Sequence, residues 1–82
     1  MGRSGGSVRA PESGGAAGER VRDRRRAAGL TQQQLAEAVG VSRQTIISME
    51  TGDYAPSVYL ALSVAAELDI TVEGLWGSAP AP

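Results

Sequence analysis

The chain has 82 residues, of which 41% are hydrophobic, and a net charge of −1 at pH 7, so we expect a single domain. It contains neither cysteine nor histidine, which excludes disulfides, thiolate zinc sites and the most common general base of enzymes. No apolar run approaches the length of a membrane-spanning helix, which is about 20 residues. We therefore expect a cytoplasmic protein.

Charge is distributed unevenly along the chain. Residues 20–50 carry six arginines and three acidic residues, a net charge of +3, whereas residues 51–77 carry four acidic residues and no basic one, a net charge of −4. A basic half is typical of a surface that binds nucleic acid, but a run of charge is equally typical of a solvated helix face. Charge alone leaves both interpretations open.

The first part of the chain has the composition of a disordered segment. Residues 1–18 are rich in Gly, Ser, Ala and Pro and show no repeating apolar pattern, so they cannot bury enough surface to offset the entropy of ordering. We expect a disordered arm over 1–18, a folded domain over 19–77 and a tail over 78–82. The first helix is predicted from about Glu19 to Ala28.

The stretch TQQQLAEAVGVSRQTIISME predicts two short helices joined by a tight turn, at about 32–39 and 43–50. Thr31 is followed three positions later by a glutamine, which is a capping box that satisfies two backbone N–H groups. Gly40 favours the left-handed conformation that ends a helix, and Ser42 is a good N-cap for the next one. Two helices joined in this way form the helix-turn-helix arrangement that many DNA-binding proteins use.

Two further helices follow. Ser57 caps a fourth helix, and Thr71 caps a short fifth one. Apolar residues recur at helical spacing along the fourth helix and predict its buried face. These residues are Val58, Ala61, Leu62, Ala65 and Leu68. Since no segment shows the alternating pattern of a strand, the sequence predicts an all-α bundle.

Several spaced motifs resemble the Cro/C1-type (XRE) family of helix-turn-helix transcriptional regulators. Ala36 and Gly40 match a small residue and a turn glycine between helices 2 and 3, and Ile46 and Met49 match apolar positions of the DNA-reading helix. The runs GDYAPS and ITVEGLW match the loop before helix 4 and the last helix, so the resemblance extends from about Glu19 to Gly77. It implies a compact five-helix bundle of the lambda-repressor-like type that binds specific DNA sequences.

The resemblance implies that helix 3 enters the major groove of double-stranded DNA. Ile46 and Met49 face the core by helical spacing, which turns their polar neighbours outward. Arginine forms two hydrogen bonds to guanine, and glutamine forms two to adenine, so Gln44 and Arg43 are expected to contribute most to specificity. The predicted DNA-binding residues are Gln32, Ser42, Arg43, Gln44, Thr45, Ile47 and Ser48.

Two of these residues have alternative interpretations. Gln32 matches a family position that contacts a phosphate and braces the reading helix, but the same residue type is ordinary in the first turn of any helix. Ile47 could pack on a thymine methyl group, remain an exposed isoleucine, or join the core if helix 3 is rotated.

Two arginines of the first helix are interpreted as structural. Arg25 and Glu50 match a charged pair that ties helix 1 to the end of helix 3. Arg24 occupies a position where the family usually has a leucine that faces the core. We expect its stem to cover the core edge while its guanidinium reaches water, and we expect helix 1 to be loosely held.

Tyr59, Ser63 and Ala66 form one stripe of helix 4 where relatives usually carry charge, which favours a dimer or partner surface. The first hypothesis is a homodimeric regulator on a palindromic operator. The alternative is an antitoxin or accessory protein-binding module with secondary DNA binding, which the acidic C-terminal half favours. The sequence contains no nucleophile–base pair, metal cluster or phosphate-binding loop, so we expect no enzyme activity, cofactor or metal.

Overall fold

The computed structural model describes the backbone of residues 10–77 and the side chains of residues 16–77. No strand occurs in this part of the chain, and no helix in it is long and apolar enough to cross a membrane. The predicted all-α five-helix bundle is confirmed. The helices are α1 (Ala10–Ala27), α2 (Gln32–Val39), α3 (Arg43–Thr51), α4 (Val58–Glu67) and α5 (Val72–Trp76).

Helices α2 to α5 each begin at the hydroxyl side chain that the sequence predicted. The Thr31 Oγ1 accepts the backbone N–H of Gln34 at 3.0 Å, and the Gln34 Oε1 accepts the N–H of Thr31 at 2.8 Å, which completes the capping box. The other three caps accept the N–H group three residues later at 3.0–3.2 Å. These caps are Ser42, Ser57 and Thr71.

Helix α1 is longer than the sequence predicted. It begins at Ala10 rather than at about Glu19, and both Ala17 and Gly18 are buried inside the fold. The predicted start of the first helix is therefore wrong, and Gly18, in a segment whose composition favours disorder, packs against the backbone of α3. Residues 1–9 and 78–82 lie outside the described residues. The predicted domain boundaries stay a prediction.

The core draws on all five helices. Its buried members are Val21, Leu35, Ala36, Ile46, Met49, Val64, Ala65, Leu68 and Leu75. The buried face predicted for α4 is partly wrong, since Val58 and Leu62 are 72% and 52% exposed while Val64 is fully buried. A buried face that contains Val58 and Leu62 and a buried face that contains Val64 both fit helical spacing on a short helix. Only the packing of α4 against α2 and α5 selects between them.

Helix α1 packs very closely on α3 at Gly18. A Cβ atom at this position would lie 2.7 Å from the carbonyl oxygen of Met49 and closer still to that of Glu50. Because both oxygens belong to the backbone of α3, they cannot move aside as the end of a flexible side chain could. The glycine therefore sets the distance between α1 and the C-terminal end of α3.

Two arginines of α1 bind carbonyl groups of the C-terminal helices. The Arg24 Nη2 donates to the Leu68 carbonyl at 3.1 Å, and the Arg20 Nε donates to the Leu75 carbonyl at 2.8 Å. Arg24 is exposed, as expected, but its guanidinium binds the end of α4 rather than water alone. Helix α1 is thus tied to both α4 and α5. These hydrogen bonds oppose the expectation that α1 is loosely held.

Candidate nucleic-acid interface

The helix-turn-helix unit consists of α2, a turn over residues 40–42, and α3. Gly40 adopts the left-handed conformation, with a φ of 79°, and its N–H donates to the Ala36 carbonyl at 2.8 Å. Ala36 is fully buried, and α2 packs directly against α3. The left-handed glycine at one end of the turn and the Ser42 cap at the other therefore set the direction in which α3 leaves α2.

The core holds one face of α3, and the opposite face is directed to solvent. Ile46 and Met49 are fully buried, as helical spacing predicted. The side chains expected on the outer face are Arg43, Gln44, Ile47 and Ser48. The first two of these are exposed and the other two are half-buried. The start of α3 therefore presents a long cationic side chain and a long amide side chain to solvent.

The polar side chains along α3 differ in how firmly they are held. The Gln44 Nε2 donates to the Ser48 Oγ across 3.4 Å, which is a long hydrogen bond, so the amide is available to a ligand. The Ser42 Oγ accepts the Thr45 N–H at 3.2 Å and lies 3.0 Å from the Thr45 Oγ1. Ser42 and Thr45 are therefore engaged in holding the first turn of α3.

Ile47 lies outside the core. It is half-buried, and it belongs neither to the buried cluster nor to the partly buried hydrophobic residues packed against that cluster. The interpretation of Ile47 as a core residue on a rotated α3 is therefore wrong. Ile47 therefore places an apolar side chain on the same side of α3 as Arg43 and Gln44, which precede it by four and three positions.

Arg25 and Glu50 form a buried ion pair between α1 and α3. The Arg25 Nε lies 2.6 Å from the Glu50 Oε2, and its Nη2 lies 3.1 Å from the Oε1, so two parallel hydrogen bonds join the charges. Arg25 is 7% exposed and Glu50 is 5% exposed. The Arg25 Nη1 also donates to the Leu30 carbonyl at 2.8 Å. The structure thus brings the predicted pair together.

Gln32 joins this network from the first turn of α2. Its Nε2 donates to the Glu50 Oε1 at 3.2 Å, so α2 and α1 both hold the C-terminal end of α3 through one carboxylate. This geometry agrees with the predicted bracing of the reading helix. The predicted phosphate contact of Gln32 stays a prediction.

A polar groove of about 360 Å³ lies beside the start of α2. Its lining residues come from the end of α1, the start of α2 and the start of α3, and they are Arg25, Arg26, Thr31, Gln32, Gln33 and Arg43. Gln32 and Arg43 are among the DNA-binding residues predicted from the sequence, whereas Arg26 and Gln33 are not. Arg26 belongs to a run of three arginines at the end of α1, and it is the one member of that run to which the sequence patterns assigned no individual role.

The surface of α4 is exposed along the predicted stripe. Tyr59 is 84% exposed, and Ser63 and Ala66 are exposed beside it. A second, apolar groove of about 380 Å³ lies next to this stripe, between α4, α5 and the loop before α4. It is lined by Ala55, Pro56, Val58, Ala61, Leu62, Val72, Glu73 and Trp76. The sequence did not indicate this groove, because the apolar spacing along α4 predicted Val58 and Leu62 to be buried.

Comparisons with known proteins agree with this geometry. Residues 21–75 match the model of the helix-turn-helix family HTH_3. An uncharacterized HTH-type transcriptional regulator of Methanothermobacter thermautotrophicus is 54% identical over 48 residues, which are 58% of this chain and 70% of the relative.

Two solved structures are similar over most of the chain. The restriction-modification controller protein C.AhdI from Aeromonas hydrophila has a TM-score of 0.70 at 34% identity, covering 74% of this chain and 92% of that one. The P22 c2 repressor, solved in complex with a synthetic operator, has a TM-score of 0.71 at 30% identity. The match covers 76% of this chain and 96% of that one. The chain therefore belongs to the HTH_3 family of Cro/C1-type helix-turn-helix, DNA-binding transcriptional regulators.

Proposed function

We propose that this regulator binds a palindromic operator as a homodimer, with α3 in the major groove of each half-site. The observation that carries the proposal is the outer face of α3, where Arg43 and Gln44 face solvent while Ile46 and Met49 hold the helix in the core. The similar P22 c2 repressor was solved in complex with a synthetic operator, which supports DNA as the ligand. Two-fold symmetry would then place the half-sites about 34 Å apart.

Arg43 and Gln44 are the main specificity residues in this proposal. A guanidinium donates two hydrogen bonds, to guanine O6 and N7, whereas a carboxamide donates one to adenine N7 and accepts one from the adenine N6 amino group. Each such contact discriminates against the wrong base by about 1–3 kcal/mol. The hydroxyl groups of Ser42, Thr45 and Ser48 supply shorter contacts to bases or phosphates, and Gln32 supplies a phosphate contact at the edge of the groove.

The C-terminal helices supply the surface for self-association. The stripe of Tyr59, Ser63 and Ala66 carries no charge, and the adjoining groove exposes Val58 and Leu62. The uncharged stripe packs against a second copy without leaving a buried ion unpaired, and Glu73, the charged residue that lines the groove, is exposed. A different protein seated on the same surface would make the chain an accessory module instead. We place the dimer in the cytoplasm, together with the DNA that it regulates.

Selection of random duplexes by the purified protein tests the proposal. We expect a preferred sequence with a dyad whose half-sites are centred about one helical turn apart. Sedimentation of the complex with the selected duplex should show two chains for each duplex. A pool without any preferred sequence would contradict specific binding, and one chain on a motif without a dyad would contradict the homodimer.

Ile47 is expected to read a thymine methyl group in the selected half-site. Replacing that thymine by deoxyuridine removes a single methyl group, which is worth about 0.8 kcal/mol, or about a fourfold increase in Kd. The Ile47→Ala variant should bind the thymine and deoxyuridine duplexes equally well. A deoxyuridine placed outside the half-sites is the control. If deoxyuridine lowers the affinity of the wild type and of Ile47→Ala equally, the contact between Ile47 and the methyl group is contradicted.

A further inference from the structure

We infer that the apolar groove between α4 and α5 binds an amphipathic helix of a partner protein, one that carries an arginine or lysine among its apolar residues. The inference goes beyond the proposed function, since none of the stripe residues offered for self-association lines this groove. It gives the regulator a second binding surface on its C-terminal helices, next to the surface for the second copy.

The walls of the groove have a spacing that a helix fits. On α4, the lining residues Val58 and Leu62 are four positions apart. On α5, Val72 and Trp76 have the same spacing. Each pair forms a ridge of side chains along its helix, and the small, buried Ala61 also lines the groove. Ridges of this kind accept the ridge of a third helix whose apolar residues recur at positions i and i+4.

The groove exposes apolar side chains that the fold leaves uncovered. Val58 is 72% exposed and Leu62 is 52% exposed, and neither belongs to the core cluster or to the partly buried residues packed against it. Removing such side chains from water favours binding in proportion to the apolar area covered. The apolar face of a partner helix supplies this cover.

The charge of the surroundings favours a cationic occupant. Residues 51–77 contain four acidic residues, all exposed, and no basic one. One of them, Glu73, lines the groove, and among residues 16–77 no arginine lies within 4.0 Å of its carboxylate. Trp76 lies three positions later on the same side of α5, and the face of an indole ring attracts arginine and lysine. A basic side chain in the groove therefore has a carboxylate and an aromatic ring to contact.

The same charge argues against a second copy in the groove. Two copies that faced each other there would bring one Glu73 towards another, and like charges brought together across an interface lower the affinity. Arg20 and Arg24 bind carbonyl groups of the C-terminal helices, but neither lines the groove. The uncharged stripe therefore suits a second copy, and the groove suits a different, cationic helix.

Selection of displayed random helical peptides without tryptophan, by the purified full chain, tests the inference. We expect the bound pool to be enriched in apolar residues at positions i and i+4 and in arginine or lysine, and to be depleted of acidic residues. A synthetic peptide of the selected sequence is then the probe. Its binding should change the fluorescence of Trp76, which is the single tryptophan of the chain. A pool without this enrichment, or a peptide that binds without changing the fluorescence, would overturn the inference.

Two variants of the groove should weaken the binding of this peptide. Leu62→Ala removes exposed apolar surface and should raise the Kd about tenfold, with thermal melting nearly unchanged because alanine favours the helix. Glu73→Gln removes the carboxylate and should raise the Kd about two- to fivefold. This second loss should disappear for a peptide whose basic residue is replaced by glutamine, since the pair of charges is then already broken.

Two matched variants outside the groove are the controls. Glu67→Gln removes an exposed carboxylate from the end of α4, and Tyr59→Ala removes an exposed side chain of the stripe. Neither residue lines the groove, so both variants should bind the peptide as the wild type does. Equal affinities of the wild type and Leu62→Ala, or an equal loss in Glu67→Gln and Glu73→Gln, would overturn the inference. Loss of peptide binding in Tyr59→Ala would place the partner on the stripe instead of in the groove.

Discussion

Replacing Glu50 with alanine is expected to cost about 3–5 kcal/mol of unfolding free energy, because it leaves the buried guanidinium of Arg25 without a counter-charge. Glu50 accepts hydrogen bonds of 2.6 and 3.1 Å from Arg25 and of 3.2 Å from Gln32, so donors from two helices lose their partner. A domain of this size rarely has a stability above about 3–5 kcal/mol. The variant should therefore be largely unfolded at room temperature, as circular dichroism and urea denaturation would show.

Two variants test the physical cause of this loss. Glu37→Ala removes a carboxylate from an exposed site on α2, and its melting temperature should be close to that of the wild type. The double variant Arg25→Met/Glu50→Leu should be more stable than Glu50→Ala, since it leaves no buried charge unpaired. Unchanged melting of Glu50→Ala together with lost operator discrimination would show that Glu50 acts on DNA recognition rather than on the fold.

Replacing Gly18 with alanine is expected to destabilise the domain by about 1–3 kcal/mol, the usual cost of overpacking a core. The sign of this change is informative, because in an isolated helix alanine is more stable than glycine by about 1 kcal/mol. At Gly18 the added Cβ atom would lie 2.7 Å from the Met49 carbonyl oxygen, so α1 must move away from α3. Urea denaturation measures the loss of unfolding free energy.

An exchange at an exposed position of the same helix is the control for Gly18→Ala. Ala27 is exposed in the last turn of α1, and Ala27→Gly should lower the unfolding free energy by about 1 kcal/mol or less, through helix propensity alone. Gly18→Ala and Ala27→Gly are opposite exchanges, and both should thus destabilise the domain. A Gly18→Ala variant more stable than the wild type would show that α1 and α3 are not held at the distance that the glycine allows.

The helix boundaries that depend on local hydrogen bonds could be predicted from the sequence. The capping box at Thr31 and Gln34 satisfies backbone groups within four residues of each other, and the left-handed Gly40 ends α2 without help from the rest of the fold. The outer face of α3 was predictable for a similar reason. Once Ile46 and Met49 are assigned to the core, helical geometry turns Arg43 and Gln44 away from it.

The positions where the prediction was wrong depend on contacts between distant parts of the chain. Composition favoured a first helix that starts at about Glu19, but α1 begins at Ala10, and Gly18 is buried against the backbone of α3. The apolar pattern of α4 fits more than one face, and its packing leaves Val58 and Leu62 exposed. Neither outcome can be derived from the residues of one helix considered alone.

The sequence by itself determined the five-helix order, the caps that start α2 to α5 and the residue types on the reading helix, because each depends on residues within about one helical turn. Only the tertiary structure placed Arg26 and Arg43 in one groove, joined Gln32 to the Arg25–Glu50 pair, and directed Arg24 to the Leu68 carbonyl. These contacts join residues of different helices, and their geometry follows from how the helices pack rather than from any local pattern.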